Sequence, residues 1–218
     1  MQQDDPALRA VAARMPQGDP RLSIEAQVNL PSRVGLGSSA ARGVAVTRAM
    51  IDAIGVSWTD EEVAAVTLEW ERVFHGNPSG VDSTLSACGG IAIFRRGDPL
   101  ERIHLPRPLR VVVGDSGERS STKEMVAQVA SQHAANREQV EKVFDGIAAL
   151  VRNAALALRA GDVRGLGQLL DLNHALLASL LLSTEAIEDL RAAAKAAGAA
   201  GSKVTGAGGG GCVVAVVE

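Results

Sequence analysis

The 218-residue sequence has very few aromatic residues, with three phenylalanines, two tryptophans and no tyrosine. Its apolar content of 46% therefore comes mainly from Ala, Val and Leu, and it also contains 23 glycines. That apolar fraction excludes a disordered chain, and the length is sufficient for a real hydrophobic core. Small aliphatic side chains among many glycines favour an α/β or α+β protein in which helices and sheets approach closely.

The sequence also lacks long apolar runs and a cysteine framework. The most apolar run, residues 175–182, is too short to span a bilayer, and the first residues, MQQDDPALRA, are acidic rather than basic. We therefore expect neither a membrane span nor a secretory signal. Cys88 and Cys212 are far apart and match no metal-binding spacing. We expect them to be reduced thiols of a cytoplasmic protein.

No strong charge of either sign is present. Lys and Arg total 22, Asp and Glu total 25, and the net charge is −3. This balance excludes a protein that binds nucleic acid through its overall field. A local loop could still bind a small phosphorylated ligand.

Hydrophobic periodicity and breaker residues predict an α+β order of elements. Thr59 and Glu62 form a capping box, which predicts the start of a helix. The strand expected at 22–30 rests on alternating apolar and polar residues. We predict helices over 5–15, 40–54, 59–74 and most of 122–197, with breaks near 161 and 183, and strands over 22–30, 90–95, 109–113 and 212–217.

A glycine-rich segment, PSRVGLGSSAA at 31–41, precedes the helix predicted over 40–54. Gly35 and Gly37 permit positive φ and close approach of a ligand. Ser38 and Ser39 lie where the helix should begin, and free amides with the positive end of the dipole form an anion site there. The segment is neither a Walker loop nor a dinucleotide loop. The alternative interpretation is a serine N-cap after a tight turn.

Two carboxylates, Glu71 and Asp82, flank the segment HGNPSGV. Glu71 falls in the last turn of its predicted helix, where a negative charge opposes the dipole, so it could instead hold a cation. Near a magnesium–phosphate site, one carboxylate can bind the metal and the other can orient or deprotonate a hydroxyl. The alternative, usual for acidic residues, is a solvated Glu71 and an Asp82 that caps a turn.

A second glycine-rich segment, KVTGAGGGGC at 203–212, leads into an apolar strand. Four successive glycines cost backbone entropy and supply no packing, so close approach of another backbone or a ligand is the physical reason for them. A flexible hairpin is the alternative. We favour it less because the following strand is fully apolar and is expected to be central.

The three motifs at 35–41, 71–82 and 203–212 together resemble those of the GHMP kinase superfamily. The middle motif and residues 115–126 are most similar to the mevalonate kinases within it, and the likeness extends from about residue 22 to the end. The resemblance implies an α+β fold with two lobes. Residues 1–105 would form a truncated N-terminal, ATP-binding lobe like domain 2 of ribosomal protein S5, and 106–218 a ferredoxin-like C-terminal lobe.

The resemblance also implies ATP- and Mg²⁺-dependent phosphorylation of the mevalonate 5-hydroxyl. Asp82 would be the catalytic base or orienting group, and Ser39 and Glu71 would hold Mg²⁺. The ATP phosphates would be bound by Gly35, Leu36, Gly37, Ser38 and Ser39. Positions expected to contact substrate or shape the site are His75, Ser79, Gly80, Thr122, Gly206, Ala207, Gly208 and Gly209. The implied partner is mevalonate, with no nucleic acid or membrane, and a homodimer is compatible with the resemblance.

The sequence departs from the family at two places. Arg33 stands where mevalonate kinases often have glycine, and we expect it to alter the loop conformation or to add a phosphate contact. Nothing before residue 22 resembles the family's first, lysine-bearing motif, so part of the N-terminal lobe is expected to be absent. Two alternatives stay open: a GHMP kinase for phosphomevalonate, homoserine or a sugar, and a non-catalytic truncated relative that only binds ligand.

Overall fold

The computed structural model describes residues 5–16 and 23–218, and contacts divide the chain into two compact units. The first unit comprises Met1–Ser32 and Gly37–Arg102, and the second comprises Arg33–Leu36 and Ile103–Glu218. Part of the first glycine-rich segment therefore packs with the C-terminal unit.

The first unit is mainly helical. It contains α1 (Pro6–Ala12), α2 (Ser38–Ala53), α3 (Asp60–His75) and α4 (Val81–Cys88), and two short strands, β1 (Ile91–Ile93) and β2 (Glu101–Ile103), pair at its end. The capping box starts α3 as predicted, since the Thr59 hydroxyl accepts from the Glu62 amide and the Glu62 carboxylate accepts from the Thr59 amide. Trp70 of α3 is buried against Ala7 and Val11 of α1.

The second unit packs helices against a three-stranded antiparallel sheet. Its elements are β3 (Arg110–Asp115), α5 (Thr122–Ala135), α6 (Arg137–Ala160), α7 (Val163–Ser179), α8 (Glu185–Ala196), β4 (Gly201–Val204) and β5 (Cys212–Val217). The strand order is β3-β5-β4, so the apolar β5 is central as expected. Ile187 of α8 packs on Val204 and Val213 to form a fully buried cluster.

The predicted helices and the strands near 91, 110 and 212 are confirmed, with a further break at Asn136 between α5 and α6. The strand at 22–30 is wrong: residue 22 lies outside the described residues, and 23–30 form neither helix nor strand. Val28 and Leu30 are 44% and 47% exposed. Alternation makes a strand only when another strand pairs with its backbone groups, and none of the described strands pairs with this segment.

Within residues 5–16 and 23–218, no helix combines the length and apolar character needed to cross a membrane. Both cysteines are free thiols. The short elements α4, β2 and β4 were not predicted, because α4 follows directly on a turn-rich stretch and the two strands have only three or four residues.

Candidate active site

The helix after the first glycine-rich segment begins at Ser38. Its N-cap is Gly37, in a left-handed conformation with φ 66°, and no side chain in the described part of the chain caps the helix. The serine N-cap alternative is therefore wrong. Because no side chain occupies the free amides of the first turn, they and the positive end of the dipole are available to an anion.

The Ser39 hydroxyl in the first turn of α2 is buried and has no hydrogen-bond partner among the described residues. A buried polar atom without a partner costs about 1–3 kcal/mol, so such an atom in a native site calls for a physical reason. A hydroxyl oxygen at the start of a helix is suited to a metal ion or a phosphate. Ser39 therefore has the environment expected of a ligand-binding residue.

Glu71 lies in the last turn of α3 and is only 3% exposed, so the alternative of a solvated Glu71 is wrong. Burial, together with the negative charge of Asp82, raises the pKa of Glu71 to about 7. Asp82 lies in the first turn of α4, where partial burial of its carboxyl raises the pKa and the nearby His75 lowers it. Gly80 is the N-cap of α4, so Asp82 does not cap it.

Glu71, Asp82 and Ser39 together supply carboxylate and hydroxyl oxygen donors. Neither the Glu71 nor the Asp82 side chain makes a hydrogen bond or ion pair with the rest of the described chain. Asp82 lies beside the start of α2, because a Cβ on Gly37 would be 3.8 Å from its Oδ1. Carboxylate and hydroxyl oxygens are the ligands that Mg²⁺ prefers, so Glu71, Asp82 and Ser39 fit a magnesium–phosphate site.

Arg96 fixes the turn that leads to Asp82, a role that sequence reasoning missed. Its guanidinium donates to the carbonyls of Pro78 at 2.6 Å and Ser79 at 3.3 Å. The Ser79 hydroxyl in turn accepts from the Val81 amide at 3.3 Å. Nothing in the local sequence marks an exposed arginine in a later loop as the partner of this turn.

In the second unit, the segment 33–36 packs against the C-terminal glycine loop (residues 205–211). The Thr205 hydroxyl donates to the Gly35 carbonyl at 3.0 Å, and the Cys212 amide donates to the Val34 carbonyl at 3.0 Å. Gly206 has φ 71°, and a Cβ there would lie 2.5 Å from the Gly35 Cα. The loop is a hairpin connection between β4 and β5. Close approach of another backbone is the reason for glycine at 206, 208 and 211.

The remaining predicted positions are distributed over both units. Gly80 is buried in the first unit, where His75 ends α3. In the second unit, Gly208 is buried, Ala207 and Gly209 are half-buried, and Thr122 is exposed at the start of α5.

Arg33 has φ 62°, a left-handed conformation that strains any residue with a Cβ. This conformation is the physical reason why glycine suits the position. The arginine here takes up the backbone geometry that glycine favours. An altered loop or an added phosphate contact stays a prediction. Its side chain is exposed.

Two family models match the chain. "GHMP kinases N terminal domain" matches residues 5–90, and "GHMP kinases C terminal" matches residues 154–218. The chain belongs to the GHMP kinase superfamily. The match begins at residue 5, so the expectation that the likeness starts near residue 22 is wrong. The helix α1, which packs on α3, lies within the part matched to the N-terminal domain.

Curated relatives of this GHMP kinase chain are named mevalonate kinase. The protein of Pyrococcus horikoshii is 37% identical over 216 residues, which cover 95% of this chain and 63% of the relative. That of Aeropyrum pernix is 35% identical over 212 residues, covering 97% and 65%. The chain thus spans less than two thirds of the length of these relatives.

Solved structures of a mevalonate kinase and of a galactokinase share the fold. The structure of Leishmania major mevalonate kinase in complex with R-mevalonate superimposes with a TM-score of 0.80 and 33% identity, covering 86% of this chain and 58% of that one. Lactococcus lactis galactokinase with galactose superimposes with a TM-score of 0.66 and 21% identity, covering 86% and 59%. The second likeness shows the fold alone.

Proposed function

We propose that this chain transfers the γ-phosphoryl group of ATP to the 5-hydroxyl of mevalonate, with Mg²⁺ as cofactor. The observation that carries the proposal is the buried, unpartnered Ser39 hydroxyl at an uncapped helix start, in the same unit as the buried Glu71. The identity to mevalonate kinases, one of them solved with R-mevalonate, supports the choice of acceptor.

In the proposed reaction, backbone amides of 35–39 bind the phosphates, and Ser39 and Glu71 hold Mg²⁺. The bound ion would neutralise negative charge on the phosphates. Asp82 accepts a hydrogen bond from the 5-hydroxyl and takes its proton as the oxygen–phosphorus bond forms and ADP leaves. A raised pKa makes the Asp82 carboxylate a better proton acceptor than an ordinary aspartate.

The other predicted positions have shaping roles in this proposal. His75, Ser79, Gly80 and Thr122 would lie near the substrate, and Gly206–Gly209 would form the floor of the site. The N-terminal and C-terminal domains would divide near residue 105, with ATP bound mainly by the first. We further propose a cytoplasmic enzyme with a small-molecule substrate and no nucleic acid or membrane partner.

ADP release with Mg²⁺ and ATP tests the proposal on a panel of mevalonate, phosphomevalonate, homoserine and galactose. We expect release with mevalonate and its loss, by about two orders of magnitude or more, in Asp82→Asn with ATP affinity retained. Asp52→Asn, an exposed change at the end of α2, is the matched control and should leave turnover unchanged. Turnover of another acceptor in place of mevalonate, or full activity in Asp82→Asn, would refute these assignments. Binding of Mg-ATP without turnover would support the non-catalytic alternative.

A further inference from the structure

A buried polar network lies beside the start of the C-terminal glycine loop, and the proposed reaction does not use it. His174 of α7 is 1% exposed, and both of its ring nitrogens have partners. Its Nδ1 accepts from the Val204 amide at 3.2 Å, and its Nε2 lies 2.7 Å from Oε1 of Glu188. Because a backbone amide can only donate, Nδ1 must be the unprotonated nitrogen. The ring is therefore neutral, with its proton on Nε2.

The contact between His174 and the Val204 amide lies at the edge of the sheet. The strand β4 is at the edge, so its outward amides need partners outside the sheet. Two side chains one turn apart on α7 supply them: Asp171 accepts from the Ser202 amide at 3.0 Å, and His174 accepts from the Val204 amide. Val204 is the last residue of β4, and the next residue, Thr205, donates to the Gly35 carbonyl.

Glu188 connects the same network to the middle of the loop. Its Oε1 also accepts from the Ser183 hydroxyl at 2.6 Å. The neighbouring Leu182 carbonyl accepts from the Gly209 amide at 2.8 Å. The loop is thus held at its start through His174 and at Gly209 through the segment 182–183.

Burial and two nearby positive charges favour the neutral form of His174. Burial lowers the pKa of His174, and the positive charges of Arg191 on α8 and Lys203 on β4 act in the same direction. The hydrogen bond to Glu188 and the negative charge of that carboxylate act in the opposite direction and raise the pKa of His174. Protonation would place an Nδ1–H group against the Val204 N–H, which removes that hydrogen bond.

We propose that His174, neutral and protonated on Nε2, is a positioning residue that holds the glycine loop (205–211) against segment 33–36 and so sets the phosphate-binding backbone. The effect of His174 on phosphate binding rests on the proposed function, whereas its effect on the position of the loop is independent of that function.

The test compares His174→Phe with Asp171→Leu. Each change removes one hydrogen bond between α7 and an edge amide of β4. Each also removes one contact to a charged side chain of α8, which is Glu188 for His174 and Arg191 for Asp171. We expect both variants to lose stability. Only His174→Phe should speed amide hydrogen exchange at Thr205 and Gly209, by about tenfold or more. It should also weaken Mg-ATP binding measured by calorimetry by about tenfold.

A second pair keeps the inference testable if the phenylalanine variant does not fold. The Asn oxygen can replace the acceptor Nδ1, whereas the Gln amide can replace the donor Nε2. His174→Asn should therefore keep the loop protected better than His174→Gln. Nitrogen NMR of the histidine ring in the parent chain should show the Nε2–H tautomer, and a protonated ring at neutral pH would overturn the inference.

The outcomes separate the two proposals. If the parent binds Mg-ATP and His174→Phe binds it equally well, with the loop still protected, the positioning role is wrong. If loop exchange rises in His174→Phe but the parent binds no Mg-ATP, the positioning role stands and the proposed function fails. Equal loop exchange in His174→Phe and Asp171→Leu would also overturn the inference, because both changes would then be merely structural.

Discussion

Replacing Glu71 with Gln isolates the electrostatic cost of the buried acidic pair. Glu71 is 3% exposed, and burial with the charge of Asp82 raises its pKa from 4.5 to about 7. At about 1.4 kcal/mol per pH unit, this difference corresponds to about 3 kcal/mol of folding free energy. Gln has nearly the same shape but cannot ionise.

Proton linkage gives the direction in which the free energy of unfolding changes with pH. The folded protein binds the Glu71 proton more tightly than the unfolded chain, so the stability from the protonated group is fully present below pH 4.5. That stability is lost as the pH rises through about 7. The free energy of unfolding of Glu71→Gln should therefore match the parent near pH 4.5 and exceed it by up to about 3 kcal/mol near pH 8.

Urea denaturation without Mg²⁺, followed by tryptophan fluorescence, measures this difference. Trp58 and Trp70 both lie in the first unit, so the signal reports on the unit that contains Glu71. Glu61→Gln, an exposed change on the same helix, is the control and should show no such pH dependence. A parent–variant difference that stays constant with pH would refute the burial and repulsion assigned to Glu71.

Mg-ATP adds a second readout to the same pair of proteins. A bound cation needs the ionised carboxylate, so its binding should release a proton from Glu71. Mg-ATP should therefore stabilise the parent more near pH 8 than near pH 6, with a much smaller effect on Glu71→Gln. Equal stabilisation of both proteins would contradict the metal-binding role.

Three further predictions concern the glycine segments and the unpartnered hydroxyl. Ser39→Ala should raise the free energy of unfolding without ligand by about 1 kcal/mol and weaken Mg-ATP binding, because it removes a buried hydroxyl that has no partner. Ser83→Ala, which removes the 3.1 Å bond to the Gly80 carbonyl, should instead lower stability, and a loss in both would contradict the reasoning. Gly206→Ala should lower the thermal unfolding temperature more than Gly198→Ala does. Both glycines have positive φ, but only a Cβ at Gly206 would meet another backbone. Equal losses of stability would show that this contact is unimportant. Arg33→Gly should relieve about 1–2 kcal/mol of left-handed strain against a glycine entropy cost of about 0.5–1 kcal/mol, for a small net gain in urea midpoint. A loss of stability in Arg33→Gly would mean that the arginine side chain makes a stabilising contact.

Local patterns explain what could be predicted. The capping box at Thr59, the helix start at Ser38 and the apolar strand at 212–217 depend on neighbouring residues, and all three are confirmed. The strand expected at 22–30 is not found in residues 23–30, because pairing depends on a distant segment and alternation does not supply one.

The residues of the candidate site likewise include some that local sequence could predict and some that it could not. The serines and glycines of 35–39 stand out because their chemistry follows from local backbone geometry. Arg96 could not be found this way, because its partners lie 17 and 18 residues earlier and its exposed side chain gives no hydrophobic signal. His174 was missed for the related reason that its role depends on an edge amide 30 residues later.

By itself, the sequence determined the helix start near Ser38, the two glycine segments and the superfamily to which they belong, since each depends on short-range order along the chain. Only the tertiary structure decided that Glu71 is buried beside a second carboxylate and that Ser39 has no partner. It also decided that residues 33–36 pack with the loop at 205–211. Burial, pKa shifts and backbone contact depend on which distant residues exclude water, and a linear sequence does not specify them.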